Sequence, residues 1–256
     1  MHVVEPIPAF SDNYIWLIKN LDNQHVVVVD PGDATPVIAE LERQDLILEA
    51  ILITHKHADH IGGVKELKTT TNATIYGPNK NLGDIVDIAV SEGDHVQIEK
   101  TGVRFNILEL PGHTMEHIAY YNDESLFCGD TLFVGGCGRV FEGTMQQMYT
   151  SLQKLANLPE CLKVYCAHEY TQSNLKFALT VESNNQNLTE FNDFITKIRT
   201  NNQPSVPSSI KIEREINPFL RCEQHEIQTR VGQQYEKHMA DPIETFAYLR
   251  KWKDNF

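Results

Sequence analysis

The chain has 256 residues, 41% of them hydrophobic, and a formal net charge of −13 at pH 7. This length and composition predict one large domain, or a main domain with a smaller appendage, around a substantial core. The acidic balance argues against a nucleic-acid partner, and no apolar run is long enough to span a bilayer.

Cysteine usage and the N-terminus both favour a cytoplasmic protein. The five cysteines are an odd number without a CxxC pair, which is typical of reduced thiols. The first ten residues lack a basic stretch followed by an apolar one, so a secretory signal is not expected. Nothing in the sequence demands an assembly, and we expect a monomer.

Up to about residue 170, short strands dominate the predicted elements. The expected strands are Tyr14–Ile18, Val26–Val29, Ala50–Ile53, Thr74–Tyr76, Val103–Leu108, Ile118–Tyr121, Ser125–Cys128 and Val164–Ala167. The expected helices are Pro36–Glu42, Ile61–Lys68 and Met145–Asn157. Thr144 and Gln147 form a capping box for the last of these. The pattern predicts an α/β sheet core covered by helices.

Beyond His168 the pattern becomes helical. The expected helices are Gln172–Glu182, Leu188–Thr200, Glu226–Met239 and Ile243–Lys253, with Asn201–Asn217 as a polar connection. Asp241 is the expected N-cap of the last helix, and Pro242 its first residue. We therefore predict a catalytic domain over residues 1–170 and a small all-α domain over residues 171–256.

The heptapeptide THKHADH, residues 54–60, concentrates potential metal ligands directly after a predicted strand. His55 and His57 alternate by two, so their imidazoles leave the same face of an extended chain. Asp59 and His60 follow where a helix begins, and can point to a neighbouring position. Four ligands from one loop crowd a single ion but suit two adjacent ions.

Three further strands also end in a potential ligand: His113, Asp130 and His168. The seven residues divide into His55, His57 and His113 for one ion and Asp59, His60 and His168 for the other, with Asp130 bridging both. Each ion then keeps room for a shared solvent molecule, which two dications convert to a hydroxide nucleophile near neutral pH. Asp59 and Asp130 are thus the expected catalytic carboxylates, acting through that metal-bound hydroxide.

Each assignment has a simpler alternative. Asp59 can be the N-cap of the following helix, and Asp130 can cap a turn. His113 or His168, taken alone, is more often a hydrogen-bonded histidine than a ligand. The joint explanation is favoured because five histidines and two aspartates all follow predicted strands. His117, four residues after His113, can support a ligand from behind.

These residues resemble the metallo-β-lactamase-fold hydrolases, and within them glyoxalase II, the hydroxyacylglutathione hydrolases. The resemblance covers essentially the whole chain, including the helical tail. It is carried by the HxHxDH string, the later GHT, the Gly-Asp pair and the segments FSDNYIWLI (10–18), VDPGD (29–33), FCGDTLFVGGCGRVFEGT (127–144), AHEYTQSNLKFA (167–178) and LRKWKDNF (249–256). It implies an αββα sandwich with its metals at one edge, followed by a small all-α domain.

The resemblance also implies an activity. A hydroxide bridging two divalent metal ions would attack the thioester of S-D-lactoylglutathione and release glutathione and D-lactate, the second step of methylglyoxal detoxification. Zinc is the expected metal, with iron or manganese as alternatives. The family's glutathione contacts fall on Arg139, on His168-Glu169-Tyr170, and on Arg250 and Lys253. The last two share a helix face, where basic residues can also merely complement the helix dipole.

The chain departs from the family pattern at three places. Lys56 stands between His55 and His57, where relatives often have histidine. Met115-Glu116 stands where relatives commonly have glycine before the second histidine, which puts a charge near the site. Phe141 lies where some relatives have tyrosine, so a hydroxyl contact to the peptide is expected to be missing.

Other functions remain as alternatives. A persulfide dioxygenase on the same fold would use one iron, but typically keeps fewer of the seven ligands and lacks the helical tail. A β-lactamase or a tRNA-processing nuclease of this fold is disfavoured by the missing secretion signal and by the acidic charge. A non-catalytic metal-binding protein would be expected to have lost at least one ligand.

Overall fold

The computed structural model describes residues 2–78 and 82–256, which form two compact units. The first unit comprises Met1–Glu109 and Glu116–Gly129, and the second Leu110–Met115 and Asp130–Phe256. In the described part of the chain, no helix combines the length and the hydropathy that a bilayer crossing requires.

The first unit contains a six-stranded mixed sheet. Its strands, in spatial as well as chain order, are β1 (His2–Ala9), β2 (Asn13–Asn20), β3 (His25–Val29), β4 (Ile47–Leu52), β5 (Thr74–Pro78) and β6 (Ile88–Val90). Neighbours are antiparallel from β1 to β3 and parallel from β3 to β6. The helices of this unit are α1 (Ala34–Gln44), α2 (Ala58–Ile61) and α3 (Val64–Thr71).

Four further strands of the same unit pair antiparallel in chain order: β7 (His95–Gln97), β8 (Arg104–Glu109), β9 (Ile118–Tyr121) and β10 (Ser125–Gly129). A buried cluster joins the first sheet to its helices, with Val37 of α1 and Leu67 of α3 packed among residues of β2 to β5. Apolar burial on this scale is the main stabilising term for such a unit.

Two parallel strands position the chemistry of the first unit. Val26–Val29 and Ala50–Ile53 are continuous apolar runs, at most 1% exposed, as expected for central parallel strands covered on both faces. β3 and β4 pair in parallel, so both end at the same edge of the sheet. Asp30 donates its backbone N–H to Leu52 O at 2.9 Å, and this bond holds the two strand ends together.

The second unit is mainly helical. Its elements are β11 (Leu132–Phe133), β12 (Gly136–Cys137), α4 (Met145–Ala156), β13 (Lys163–Cys166), α5 (Thr171–Val181), α6 (Gln186–Thr200), β14 (Ser208–Ser209), α7 (Ile210–Ile216), α8 (His225–Tyr235) and α9 (Pro242–Asp254). β11 pairs antiparallel with β12, and β13 with β14. The capping box of Thr144 and Gln147 is present, and Asp241 caps α9 with Pro242 at its first turn.

All eight predicted strands are found, with ends shifted by up to three residues. The strands that the sequence pattern did not predict are β1, β6, β7, β11, β12 and β14. Most are two or three residues long and carry too few positions for a period to register. β14 also shows that the chain beyond residue 170 is not entirely helical.

Two helix predictions were wrong in detail. The single helix expected over Ile61–Lys68 is two helices, α2 and α3, separated by Gly62 and Gly63. Glycine has low helix propensity. A Cβ at Gly62 would also lie 2.5 Å from the carbonyl oxygen of Gly32, and a Cβ at Gly63 would lie 2.4 Å from the backbone nitrogen of Ala34. The expected connection Asn201–Asn217 contains α7, which is capped by the Ser209 hydroxyl.

Candidate active site

The loop after β4 carries four of the predicted ligands in the first unit. His55 Nε2 lies 3.1 Å from His57 Nδ1, and His60 Nε2 lies 3.5 Å from Asp59 Oδ2. Helix α2 begins at Ala58 with His57 as its N-cap residue, so Asp59 is not the cap and lies with His60 inside the helix. The loop and the helical turn therefore present two pairs of ligand atoms.

Asp30 is the hub that orients this loop. Its carboxylate, 4% exposed as a residue, accepts hydrogen bonds from the Thr54 backbone N–H at 2.7 Å and the Thr54 hydroxyl at 2.6 Å. His60 Nδ1 lies 3.0 Å from Asp30 Oδ2. Potential ligand atoms of Asp30, His55 and His60 lie within 4.8 Å of one another. Because Thr54 and His60 already occupy the carboxylate, we assign Asp30 to orienting the ligands.

In the second unit, one carboxylate faces two imidazoles. Asp130 Oδ2 lies 3.4 Å from His113 Nε2, and Asp130 Oδ1 lies 3.4 Å from His168 Nε2. All three residues are buried. His113 Nδ1 lies 2.8 Å from the carbonyl oxygen of Arg139. Asp130 therefore has the geometry of a carboxylate that addresses two positions at once.

These separations fit divalent metal ions. Tetrahedral bonds of about 2.0–2.1 Å place neighbouring ligand atoms roughly 3.4 Å apart. The Asp130–histidine distances of 3.4 Å match that spacing and exceed the usual range of an N–H···O hydrogen bond. Imidazole nitrogens and carboxylate oxygens are also the donor set expected of a catalytic divalent site.

The second ring nitrogen of several ligands is held, as metal sites require. His60 and His113 place Nδ1 against Asp30 and against a backbone carbonyl, which assigns the proton to Nδ1 and leaves the Nε2 lone pair for a metal. His55 Nδ1 lies 3.1 Å from the Thr54 hydroxyl. The ring of buried His117 stacks on His55 with centroids 4.7 Å apart. The sequence left such a supporting role open for His117.

A cluster of cations surrounds one carboxylate in the second unit. Asp254 Oδ1 lies 3.1 Å from Arg250 Nε and 3.5 Å from Arg139 Nε. Burial, followed by the like charges of Arg250 and Arg139, lowers the pKa of Lys253. Three cations held this close create a positive patch on an acidic chain, a suitable receptor for an anionic ligand.

The members of this cluster differ in exposure. The Arg139 side chain is 61% exposed. The Arg250 side chain is 4% exposed, and its guanidinium donates to the Cys137 carbonyl at 2.8 Å. Arg250 therefore fixes the β12 turn that precedes Arg139. The roles of Arg139, Arg250 and Lys253 as substrate contacts stay predictions.

The triplet His168-Glu169-Tyr170 follows β13. The Tyr170 ring, 38% exposed, stacks on His168 with centroids 4.7 Å apart. The Glu169 carboxylate accepts hydrogen bonds from the backbone N–H and the hydroxyl of Ser205. These hydrogen bonds hold the Glu169 carboxylate in place, and its contact with substrate stays a prediction.

Sequence reasoning did not single out Asp30 and Asp254. Asp30 follows β3 directly, which is the same signal that identified His113, Asp130 and His168, and it lies in the quoted VDPGD segment. Asp254 lies in the quoted LRKWKDNF segment, but its position between two arginines depends on the tertiary fold. Of these two residues, only Asp30 could have been identified from its position after a predicted strand.

Two family models match the chain. Residues 10–168 match the metallo-beta-lactamase superfamily, and residues 169–256 match the hydroxyacylglutathione hydrolase C-terminus. A hydroxyacylglutathione hydrolase of Photobacterium profundum is 52% identical over 258 aligned positions, covering 100% of both chains. One from Psychromonas ingrahamii is 50% identical with the same coverage.

Among solved structures, ETHE1 from Myxococcus xanthus matches with a TM-score of 0.70 at 25% identity, covering 98% of this chain and 90% of that one. The αββα metallo-β-lactamase fold expected from sequence, with a helical C-terminal region, is thereby confirmed. The chain belongs to the hydroxyacylglutathione hydrolase family of the metallo-β-lactamase superfamily, because both family models match it and these relatives are 50–52% identical to it over its whole length.

Proposed function

We propose that this chain hydrolyses the thioester of S-D-lactoylglutathione, and of related S-2-hydroxyacylglutathiones, to glutathione and the free acid. One observation carries the proposal: the chain is 50–52% identical to hydroxyacylglutathione hydrolases over its whole length, and it retains all seven predicted ligands. Retention of the whole set argues against a binding protein that has lost its chemistry.

We further propose that the seven predicted ligands hold two divalent ions. His55, His57 and His113 would hold one ion, and Asp59, His60 and His168 the other, with Asp130 shared. When bound, such ions supply Lewis acidity and lower the pKa of a coordinated water. Zinc is the first candidate for both positions, with iron or manganese as alternatives.

The chain's own residues orient the ligands. Asp30 and the Arg139 carbonyl hold the protons of His60 and His113 on Nδ1, so that Nε2 presents its lone pair. The Asn13 side-chain amide donates to Asp59 Oδ2 at 3.1 Å, which fixes that carboxylate. These contacts set the site before substrate arrives, which is the form of preorganisation that catalysis favours.

The cation cluster of the second unit is the proposed receptor for glutathione. Glutathione carries carboxylates, and Arg139, Lys253 and the buried charge of Arg250 attract them locally despite the net charge of −13. Because a thiolate is a good leaving group, the reaction needs no strong general acid. Tyr170, Glu169 and His168 complete the proposed substrate side.

The test is release of free thiol from S-D-lactoylglutathione by purified protein, with metal content measured on the same sample. We expect rapid turnover that a chelator abolishes and about two metal ions per chain. His57→Ala should lower metal content and turnover together, whereas His95→Ala, on an exposed residue of β7, is the matched control.

The competing reaction has a separate readout. A filled site with no thioester hydrolysis, but with oxygen uptake on glutathione persulfide and one iron per chain, would replace the hydrolase proposal by the dioxygenase. Bound metal without either turnover would indicate a binding protein. We also propose a cytoplasmic monomer, which sedimentation of the purified chain and fractionation of cells would test.

A further inference from the structure

Two charged residues close to the predicted ligands contact each other in the first unit. Lys56 Nζ lies 3.5 Å from Glu116 Oε2, and the backbone N–H of Lys56 donates to Glu116 Oε1 at 3.2 Å. The Glu116 side chain is 0% exposed and the Lys56 side chain 28% exposed. A buried carboxylate thus reaches the chain between two predicted ligands, His55 and His57.

This contact is the last of three in an antiparallel register. The Ile118 backbone N–H donates to Thr54 O at 2.9 Å. One residue back, the His117 ring stacks on His55 with an interplanar angle of 21°. One residue further back, Glu116 holds Lys56. The segment 116–118 therefore runs along the whole start of the ligand loop and fixes it residue by residue.

The charges explain why both residues are needed. A buried carboxylate without a cation is costly, and an uncompensated cation between two metal ligands repels a dication. The Lys56 ammonium offsets the first cost and the Glu116 carboxylate the second. The backbone N–H of Lys56, which a loop would otherwise leave to solvent, also gains a charged acceptor.

We propose that Glu116 is a positioning residue of the metal-ligand loop, with Lys56 as its counter-charge, and that the pair sets the affinity of the chain for divalent metal. The inference rests on the proposed metal centre, and on no property of the substrate. It predicts opposite effects for the two members of the pair, which a purely structural ion pair would not give.

The experiment is Zn²⁺ affinity of the apo-protein, measured by competition with a chromophoric chelator, alongside urea unfolding of the same apo samples. Glu116→Ala should weaken Zn²⁺ binding by about 10-fold to 100-fold, the usual cost of removing a partner that orients a ligand. Glu116→Gln keeps an oxygen for the Lys56 N–H and should recover part of that loss.

Lys56→Met should move affinity the other way. It leaves the Glu116 charge beside the ligands, so Zn²⁺ should bind at least as tightly as in the wild type, while the apo-protein unfolds at lower urea. In the double variant Lys56→Met with Glu116→Gln, the urea midpoint should recover because neither charge is left unpaired.

Asp87→Ala is the matched control. Asp87 also accepts a backbone N–H, from Ile75 at 2.8 Å, and pairs with Lys68, but it lies on a different part of the first unit. Its loss should leave Zn²⁺ affinity unchanged. Equal Zn²⁺ affinity in Glu116→Ala and wild type, or equal weakening by Glu116→Ala and Asp87→Ala, would overturn the inference.

The wild-type measurement separates this inference from the proposed function. Wild-type protein that binds Zn²⁺ tightly without hydrolysing S-D-lactoylglutathione would refute the activity and leave the Glu116 comparison intact. Wild-type protein that hydrolyses the thioester, with Zn²⁺ affinity insensitive to Glu116, would refute the inference alone.

Discussion

The two compact units hold their predicted ligands in different ways. In the first unit, His55, His57, Asp59 and His60 lie on one continuous loop and helical turn after β4. In the second, His113, Asp130 and His168 come from three separate loops. Few contacts are needed to position ligands that share one continuous loop, whereas each of three separate loops needs contacts of its own.

Both units nevertheless use a glycine at the same kind of position. A Cβ at Gly32 would lie 1.9 Å from the carbonyl oxygen of Asp59, and a Cβ at Gly138 would lie 1.9 Å from the carbonyl oxygen of Asp130. In each unit the backbone of a ligand residue packs directly on a glycine. Close backbone approach is therefore required even where the ligands share one loop.

The largest expected effect comes from filling these positions. Gly32→Ala and Gly138→Ala should each lower the free energy of unfolding by about 3 kcal/mol, because backbone atoms cannot move aside as a flexible side chain can. Gly138→Ala should also lose more bound metal than Gly32→Ala does, since the backbone that it displaces belongs to Asp130, which faces His113 and His168. Urea unfolding and metal analysis of dialysed protein measure both effects.

Gly83→Ala is the control for this pair. Gly83 has φ +57 but no heavy atom within 4 Å of a built Cβ, so alanine there meets only the left-handed backbone cost of about 1 kcal/mol. If Gly138→Ala matched Gly83→Ala in stability and metal content, the close approach to Asp130 would not matter.

A buried acid supports the loop between Asp130 and Gly138 in the second unit. The Glu213 carboxylate accepts hydrogen bonds from the Gly135 N–H at 2.9 Å and the Asn217 amide at 2.9 Å. The same Asn217 amide donates to the carbonyls of Phe133 and Gly136. Glu213 and Asn217 thereby fix the turn between β11 and β12.

This arrangement predicts a pH dependence of stability. Burial raises the pKa of Glu213 from 4.5 to about 7, against the opposing hydrogen bonds from Ser208, Asn217 and Gly135. The folded chain binds this proton more tightly than the unfolded chain does. Its contribution to stability is therefore complete below pH 4.5 and is lost as the pH rises to about 7, by roughly 3 kcal/mol in all.

Glu213→Gln should remove this part of the pH dependence. Between pH 5 and pH 8, its stability relative to the wild type should improve by up to about 3 kcal/mol. Urea unfolding at several pH values is the measurement. Ser208→Ala, which removes one donor and keeps the acid, should keep this pH dependence and extend it to higher pH, because the Ser208 hydrogen bond opposes the rise in the pKa of Glu213. A Glu213→Gln slope parallel to the wild type would contradict the prediction.

We predict that residues of the second unit contact the substrate. Lys253→Ala should raise KM for S-D-lactoylglutathione about 10-fold with little change in kcat, the signature of binding made equally in ground and transition states. Arg250→Ala should raise KM and also destabilise the chain, because the Cys137 carbonyl loses its buried donor.

Lys251→Ala is the matched control on the same helix. Its ammonium lies over the Tyr235 ring, 5.7 Å from the ring centroid. We expect its KM to equal that of the wild type. An unchanged KM in Lys253→Ala would mean that the basic residues at the C-terminal end of α9 only complement the helix dipole.

The contrast between the units also explains which parts of the candidate site could be predicted from the sequence. The ligand loop of the first unit places four potential ligands within six residues directly after an apolar strand, so residue spacing alone predicts it. Residues such as Glu213 carry no such signal, because α7 is only seven residues long and its acid is buried by contacts remote in sequence. The pairing of Lys56 with Glu116 spans 60 positions and likewise needs the fold.

The smallest expected effect tests whether helix α4 positions His113. The Ser151 hydroxyl donates to Pro111 O at 2.8 Å, and the Gly143 N–H donates to Gly112 O at 3.0 Å. Thr144→Ala removes the capping box of this helix and should cost about 1 kcal/mol of stability, with metal affinity unchanged.

Ser151→Ala should have a similar stability cost but also weaken metal binding, since it releases the loop that carries His113. The two variants therefore separate the stability of α4 from its hold on the ligand loop. Equal metal affinity in both would mean that this loop of the second unit keeps its geometry without the helix. In that case the difference between the units would lie only in the number of loops that carry ligands.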